Sequence, residues 1–209
     1  MEAKARRELY AFFSRLFVKE VDQDFLATIQ GPLGSALLPE AILELNSLSA
    51  SKLQAWLDAD FTHLTIVNLA PYESFFRRDD GKIEAGAVNP VVEFYRRHGF
   101  EADLGAARSI SPDHLGIELE LMAELCDQEA AAHDPEYAKC IREVESAFLR
   151  EHLLAWAPIY FLTAMRNARS VLYREGSEAA LEFMLEDYER LARVPEVSDH
   201  VVTGTRSST

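Results

Sequence analysis

Apolar residues recur along this chain at spacings of three and four, the repeat of an α-helix, and no segment alternates as a half-buried strand would. Leu9, Phe12, Phe13, Leu16 and Phe17 follow the i, i+3, i+4, i+7, i+8 pattern between Ala3 and Lys19, predicting a first helix with an aromatic face to bury. A short helix over Gln23 to Gln30 ends at Gly31-Pro32, and another begins near Pro39 with Leu38, Ile42 and Leu45. Leu53, Trp56, Leu57, Phe61 and Leu64 make one stripe from Ser51 to about Leu64, with Ser49 or Ser51 as the cap.

From Asn68 to Gly86 the period lapses. Pro71, two arginines, Asp79-Asp80-Gly81 and Gly86 predict a long ordered loop that holds aromatic residues. Asn89-Pro90 restarts a helix through Val91, Val92 and Tyr95 that stops at Gly99. The stretch Ser111 to Cys126, SPDHLGIELELMAELC, is the one the rest is organised around. Leu115, Leu119, Met122 and Cys126, flanked by Leu125, form its apolar stripe. Ser111 suits the N-cap, Pro112 the first helical position and Asp113 the positive end of the helix dipole, so Asp113 and His114 are expected to project from the helix mouth.

Asp134-Pro135 opens a helix with Tyr137, Ile141, Val144, Phe148 and His152 on its inner face, and Pro158 is expected to kink it or start a new one. That new helix carries Leu162, Met165 and Leu172 to Gly176; a last one runs from Ser177 through Leu181, Leu185, Tyr188 and Leu191 to Pro195. The fold class is therefore all-α, a globular bundle of about eight or more helices. Residues 1–195 read as a single domain, and 196–209, rich in Ser, Thr and Gly without an apolar period, as a mobile or partner-ordered tail.

Charge narrows the partners. Among the 209 residues, 21 Lys+Arg face 35 Asp+Glu, and the formal charge of −14 repels a phosphate backbone, which argues against nucleic acid and for a cationic partner. Twelve acids stand against three bases between Glu101 and Glu145, a pattern that also suits a merely solvated face. Cys126 and Cys140 form no CxxC and no disulfide framework, which fits a reducing cytoplasm. Arg6-Arg7 precedes an amphipathic helix with no small-residue cleavage site, so it does not read as an export signal of this chain. The uncharged run Leu153 to Met165 contains Pro158 and is shorter than the roughly 20 residues a bilayer span requires, so stable membrane insertion is not expected.

Catalytic, metal and cofactor patterns are missing: there is no HExxH, no ExxH pair, no GxSxG, and Gly81-Lys82 is followed by Ile83 where a phosphate loop needs Ser or Thr. His114 and Glu118, one turn apart, could share a metal only with a further ligand, and such pairs are common on solvated helix faces. The Pro-Asp-His step has a simple account as a cap, and Tyr72, Phe75 and Phe76 one as anchors that pin their loop to the core.

Read together, three stretches resemble one family. Asp113-His114 is similar to the Asp-His step of the TorD/DmsD/NarJ redox-enzyme maturation chaperones, although Ile110 and Ser111 stand where that family has Glu and Pro. Ala70 to Phe76, APYESFF, matches its Pro-aromatic-x-Ser-x-aromatic pattern through Pro71, Tyr72, Ser74 and Phe76, with Glu73 where glycine is frequent. FLREHLLAWAP, Phe148 to Pro158, resembles its Phe-Leu-x-x-His-Leu-x-x-Trp-x-Pro, and His152 falls on the inner face as a core histidine.

The resemblance implies a cytoplasmic, all-helical chaperone, not an enzyme and without a cofactor of its own. Its partner would be the apo-form of a molybdenum- or tungsten-cofactor oxidoreductase subunit, held by an N-terminal signal region of twin-arginine type. The peptide-binding residues it points to are Pro71, Tyr72, Glu73, Ser74, Phe75, Phe76, Asp113, His114 and Glu118. The acids would pair with arginines and the aromatics receive the apolar part. Three alternatives stay open: an assembly factor of NarJ type whose client is not exported, an enzyme using Asp113 and His114 as an acid–base pair, and a purely structural helical adaptor. Monomer and homodimer are both compatible with the pattern.

Overall fold

Eleven α-helices carry the periodic segments in a computed structural model that describes residues 1–86 and 89–193. Their order is α1 (Ala3–Val18), α2 (Gln23–Ile29), α3 (Pro32–Leu37), α4 (Pro39–Ser47), α5 (Ala50–Phe61), α6 (Glu73–Arg77), α7 (Pro90–His98), α8 (Leu115–Ala131), α9 (Pro135–Phe148), α10 (Leu154–Asn167) and α11 (Val171–Ala192). A π-helical segment, Thr62–Asn68, extends α5, and a second, Leu149–Leu153, joins α9 to α10. No strand occurs among the described residues, as the helical period predicts; residues 196–209, read as a tail, lie outside them. Among the described residues no helix is long and apolar enough to cross a membrane.

The helix α8 is the axis of the molecule. Its predicted stripe proves too narrow, because Ile117, Leu121 and Ala123 are buried together with Leu115, Leu119, Met122, Leu125 and Cys126, leaving Glu120, Glu124 and Asp127 to face water. The partner with the most extensive contact is α1, whose Ser14 hydroxyl donates to the Gly116 carbonyl at 2.8 Å. Gly116 permits that approach: a Cβ there would lie 2.6 Å from Val18 Cβ. The helices α9, α10 and α11 close the bundle around this pair.

Several boundaries differ from the sequence reading, each for a physical reason. Gly31-Pro32 ends α2, but Pro32 also suits the first turn of a helix and begins α3 at once. The Asn68–Gly86 loop contains the one-and-a-half-turn α6. Pro158 lies inside α10; the irregularity falls just before it, at Leu149–Leu153, where the chain widens into a π turn ahead of a ring that cannot donate to the preceding turn. Gly176 does not end a helix. The break comes at Ala168–Ser170, where the Asp60 carboxylate accepts from Arg169 N (3.0 Å), Ser170 N (2.8 Å) and the Ser170 hydroxyl (2.6 Å). Gly176 instead lets α1 approach, since a Cβ would meet Leu16 Cδ2 at 2.6 Å. Tyr137, Leu162 and Leu185, assigned inward by period, are exposed.

Candidate functional site

Two stretches about forty residues apart in sequence are fastened edge to edge. Leu115 N donates to Pro71 O at 2.8 Å and Glu73 N to Asp113 O at 3.0 Å, so Tyr72 and His114 face each other in an isolated antiparallel bridge. The Asp113 carboxylate reinforces the seam, accepting from Ser74 N at 2.7 Å and from the Ser111 hydroxyl.

This seam changes how α8 begins. Ser111 and Pro112 do not start the helix; His114 is the N-cap, its Nδ1 accepting from Gly116 N at 3.0 Å. Asp113 and His114 therefore do not project into solvent but are buried, because the Asp113 carboxylate is drawn across to the backbone of the Pro71–Phe76 stretch. Burial lowers the His114 pKa to about 4, which keeps Nδ1 unprotonated and able to accept. Nor do the two form an acid–base pair, since each is committed to a backbone N–H. His114 and Glu118 likewise turn to different partners, and no metal-binding group of three His, Cys, Asp or Glu occurs among the described residues.

Beneath the seam lies a layer of acids. Glu73 is buried, with Oε2 2.9 Å from His152 Nδ1 and Oε1 accepting from the guanidinium of Arg77. Glu118 accepts from Trp156 Nε1 at 3.1 Å through Oε2, while its buried Oε1 has no hydrogen-bond partner among the described residues. Burial, with Glu73 and Asp113 close by, raises the Glu118 pKa well above the ordinary carboxyl value. The Tyr95 hydroxyl, donating to Pro112 O at 3.1 Å, borders the same acids and is also pushed up, by burial first and by their charge second.

The aromatic residues form the outer surface. Phe76 packs on Trp156 and Tyr160, with ring centroids 5.4 and 6.3 Å away, so it does pin the stretch to α10. Tyr72 meets the His114 ring edge-on at 5.1 Å and Phe75 meets Phe76 at 5.3 Å, yet both remain partly open to solvent. Pro71 and Ser74 are buried in the turn that presents them.

The structure thus joins Pro71–Phe76 to Asp113 and His114, with Glu118 behind them. His152 is the buried histidine its position predicts, but its partnership with Glu73 was not readable from spacing. A second polar cluster escaped the sequence reading. Arg6 is fully buried, its Nε donating to Asp187 at 2.6 Å, Nη1 to Glu129 at 2.7 Å and Nη2 to Glu145 at 2.6 Å, while the Tyr10 hydroxyl donates to Asp187 at 2.8 Å. Its signal was available: Arg6 shares the stripe of Leu9, Tyr10 and Phe13, and Glu145 and Asp187 stand at core positions of their own helices.

The family model described as nitrate reductase delta subunit matches residues 32–161, more than half of the chain. A selenate reductase assembly chaperone protein of Thauera selenatis is 40% identical over 88 residues, covering 42% of this chain and 44% of that protein. A chaperone protein TorD of Aeromonas salmonicida is 29% identical over 182 residues, 79% of this chain and 81% of that protein. One of Salmonella bongori is 24% identical over 204 residues, 89% and 90% of the two chains. No solved structure matches the chain.

Proposed function

Because the chain belongs to the nitrate reductase delta subunit family, a family of chaperones and not of catalysts, we propose that it assists maturation of a molybdenum- or tungsten-cofactor oxidoreductase subunit. In this reading it works in the cytoplasm, holding the apo-subunit by an N-terminal signal region of twin-arginine type until the cofactor is inserted. The names of its relatives support a reductase as the partner, and the net charge of −14 supports a cationic segment as the part held.

The observation that carries the reading is a partly open aromatic ledge, Tyr72, Phe75 and Phe76, set directly over buried acids. A signal region has the complementary order, cationic side chains beside an apolar run. The ledge receives the apolar run, and Glu73, the one acid of the layer whose partner Arg77 reaches solvent, takes a client arginine. Pro71, Ser74, Asp113 and His114 hold the ledge in place, and Glu118 backs Glu73.

Isothermal titration with the client's signal peptide tests this. Tyr72→Ala and Glu73→Gln are each expected to weaken binding by about tenfold or more, roughly 1.4 kcal/mol, while thermal melts show both variants folded. Unchanged affinity in both removes the site from Pro71–Phe76. Binding of the apo-subunit that is indifferent to deletion of its signal would favour the NarJ-type client.

A further inference from the structure

Arg77 is held differently from every other partner of the acid layer. Its guanidinium lies on Glu73, yet 43% of its side chain is exposed, and both of its hydrogen bonds among the described residues leave from Nη1: one to Glu73, one to the Glu151 carbonyl at 2.8 Å. Nε and Nη2 contribute no such bond among the described residues, so the hold is not the bidentate fork that makes arginine–carboxylate pairs strong. Beside it opens a cleft of about 470 Å3, lined by Arg77, Glu93, Phe94, Arg97, Glu151 and His152, with room for the side chain to swing out.

We infer that Arg77 is an internal occupant of the client site, covering Glu73 in the free chaperone and giving way to a guanidinium of the bound segment; this rests on the reading of the site given above. A buried carboxylate stripped of its cation is strongly unfavourable, so Arg77 leaves only as another cation arrives. The event is an exchange of like for like. It explains why the site keeps an arginine of its own over an acid it needs, since the free acid layer stays neutralised and an uncharged apolar peptide cannot displace the cover.

The test uses the full chain and a synthetic peptide with an Arg-Arg pair ahead of an alanine–leucine run, titrated into wild type, Arg77→Met and Arg77→Gln. Both variants lack the competing charge and are expected to bind about tenfold more tightly than wild type. A peptide with both arginines replaced by glutamine is expected to bind all three proteins equally. If wild type binds and neither variant binds more tightly, or the glutamine peptide shows the same gain, the inference falls and the proposed site stands. If no protein binds the Arg-Arg peptide, the site reading falls and takes the inference with it.

Discussion

Two buried polar clusters flank α8, and they are built on opposite plans. Around Arg6, one guanidinium meets three carboxylates through Nε, Nη1 and Nη2, and the bonds run from α1 to α8, α9 and α11. Around Glu73, three acids are gathered with His152 and a single half-open arginine. In the first cluster burial opposes the charge, but the hydrogen bond to Asp187 and the field of Glu145 hold the Arg6 pKa above its ordinary value. In the second, burial, with the charges of Glu73 and Asp113, raises the Glu118 pKa well above the ordinary carboxyl value. A cluster in which each guanidinium nitrogen is bonded is a clamp between helices. One whose single guanidinium is half open, beside a partly open aromatic ledge, suits the exchange proposed for the client site.

The sharpest way to break this comparison is Arg6→Met. It leaves Glu145 buried without its cation and Asp187 with Arg190 alone, and a loss of about 3–5 kcal/mol is expected in urea unfolding, with peptide affinity of the folded fraction unchanged. A comparable effect on affinity would mean that the clamp and the site are one unit.

The next effect in size is pH-dependent and belongs to His114. Its folded pKa of about 4 lies below the ordinary 6.5, so as the pH falls through that window the unfolded chain takes up the proton first and the native state loses ground. The loss approaches the order of 3 kcal/mol below pH 4, while above 6.5 the group contributes nothing. Glu118, with its raised pKa, works in the opposite sense, so the comparison of wild type with His114→Asn isolates the histidine. Asparagine keeps a capping acceptor and does not titrate, so the variant is expected to lose less stability between pH 6.5 and 4. Parallel stability–pH curves for the two proteins would show that His114 does not supply the slope.

Smallest of the three is Asp113→Asn. Were Asp113 a helix cap, asparagine would serve nearly as well. As a latch whose carboxylate charge strengthens the bonds from Ser74 N and the Ser111 hydroxyl, its loss is expected to cost about 1–2 kcal/mol, because charge-assisted bonds become neutral ones. A melting temperature equal to that of wild type would restore the capping account.

Much of this protein is legible in its sequence, for reasons that lie in local geometry. A 3.6-residue repeat needs no partner to be recognised, so α1, α4, α5, α7, α8 and α9 stand close to where their apolar spacing puts them, and Gly99 ends α7 in the left-handed conformation, with φ 69°, that glycine adopts freely. The ordered motifs around Tyr72, Asp113 and His152 were likewise enough to point to the family that residues 32–161 match.

What sequence could not decide depends on distant groups. Where α8 begins is set by Ser74, whose N–H draws the Asp113 carboxylate out of the capping position. Where α10 ends is set by Asp60, more than a hundred residues away. Whether a charged residue on an apolar stripe is solvated or enclosed depends on which other helices bring counter-charges. Arg6 is buried because Glu129, Glu145 and Asp187 converge on it from three helices, and Arg77 stays half open because the tertiary structure leaves a cleft beside it. Periodicity is a property of one segment, whereas the compensation of a buried charge belongs to the packed whole.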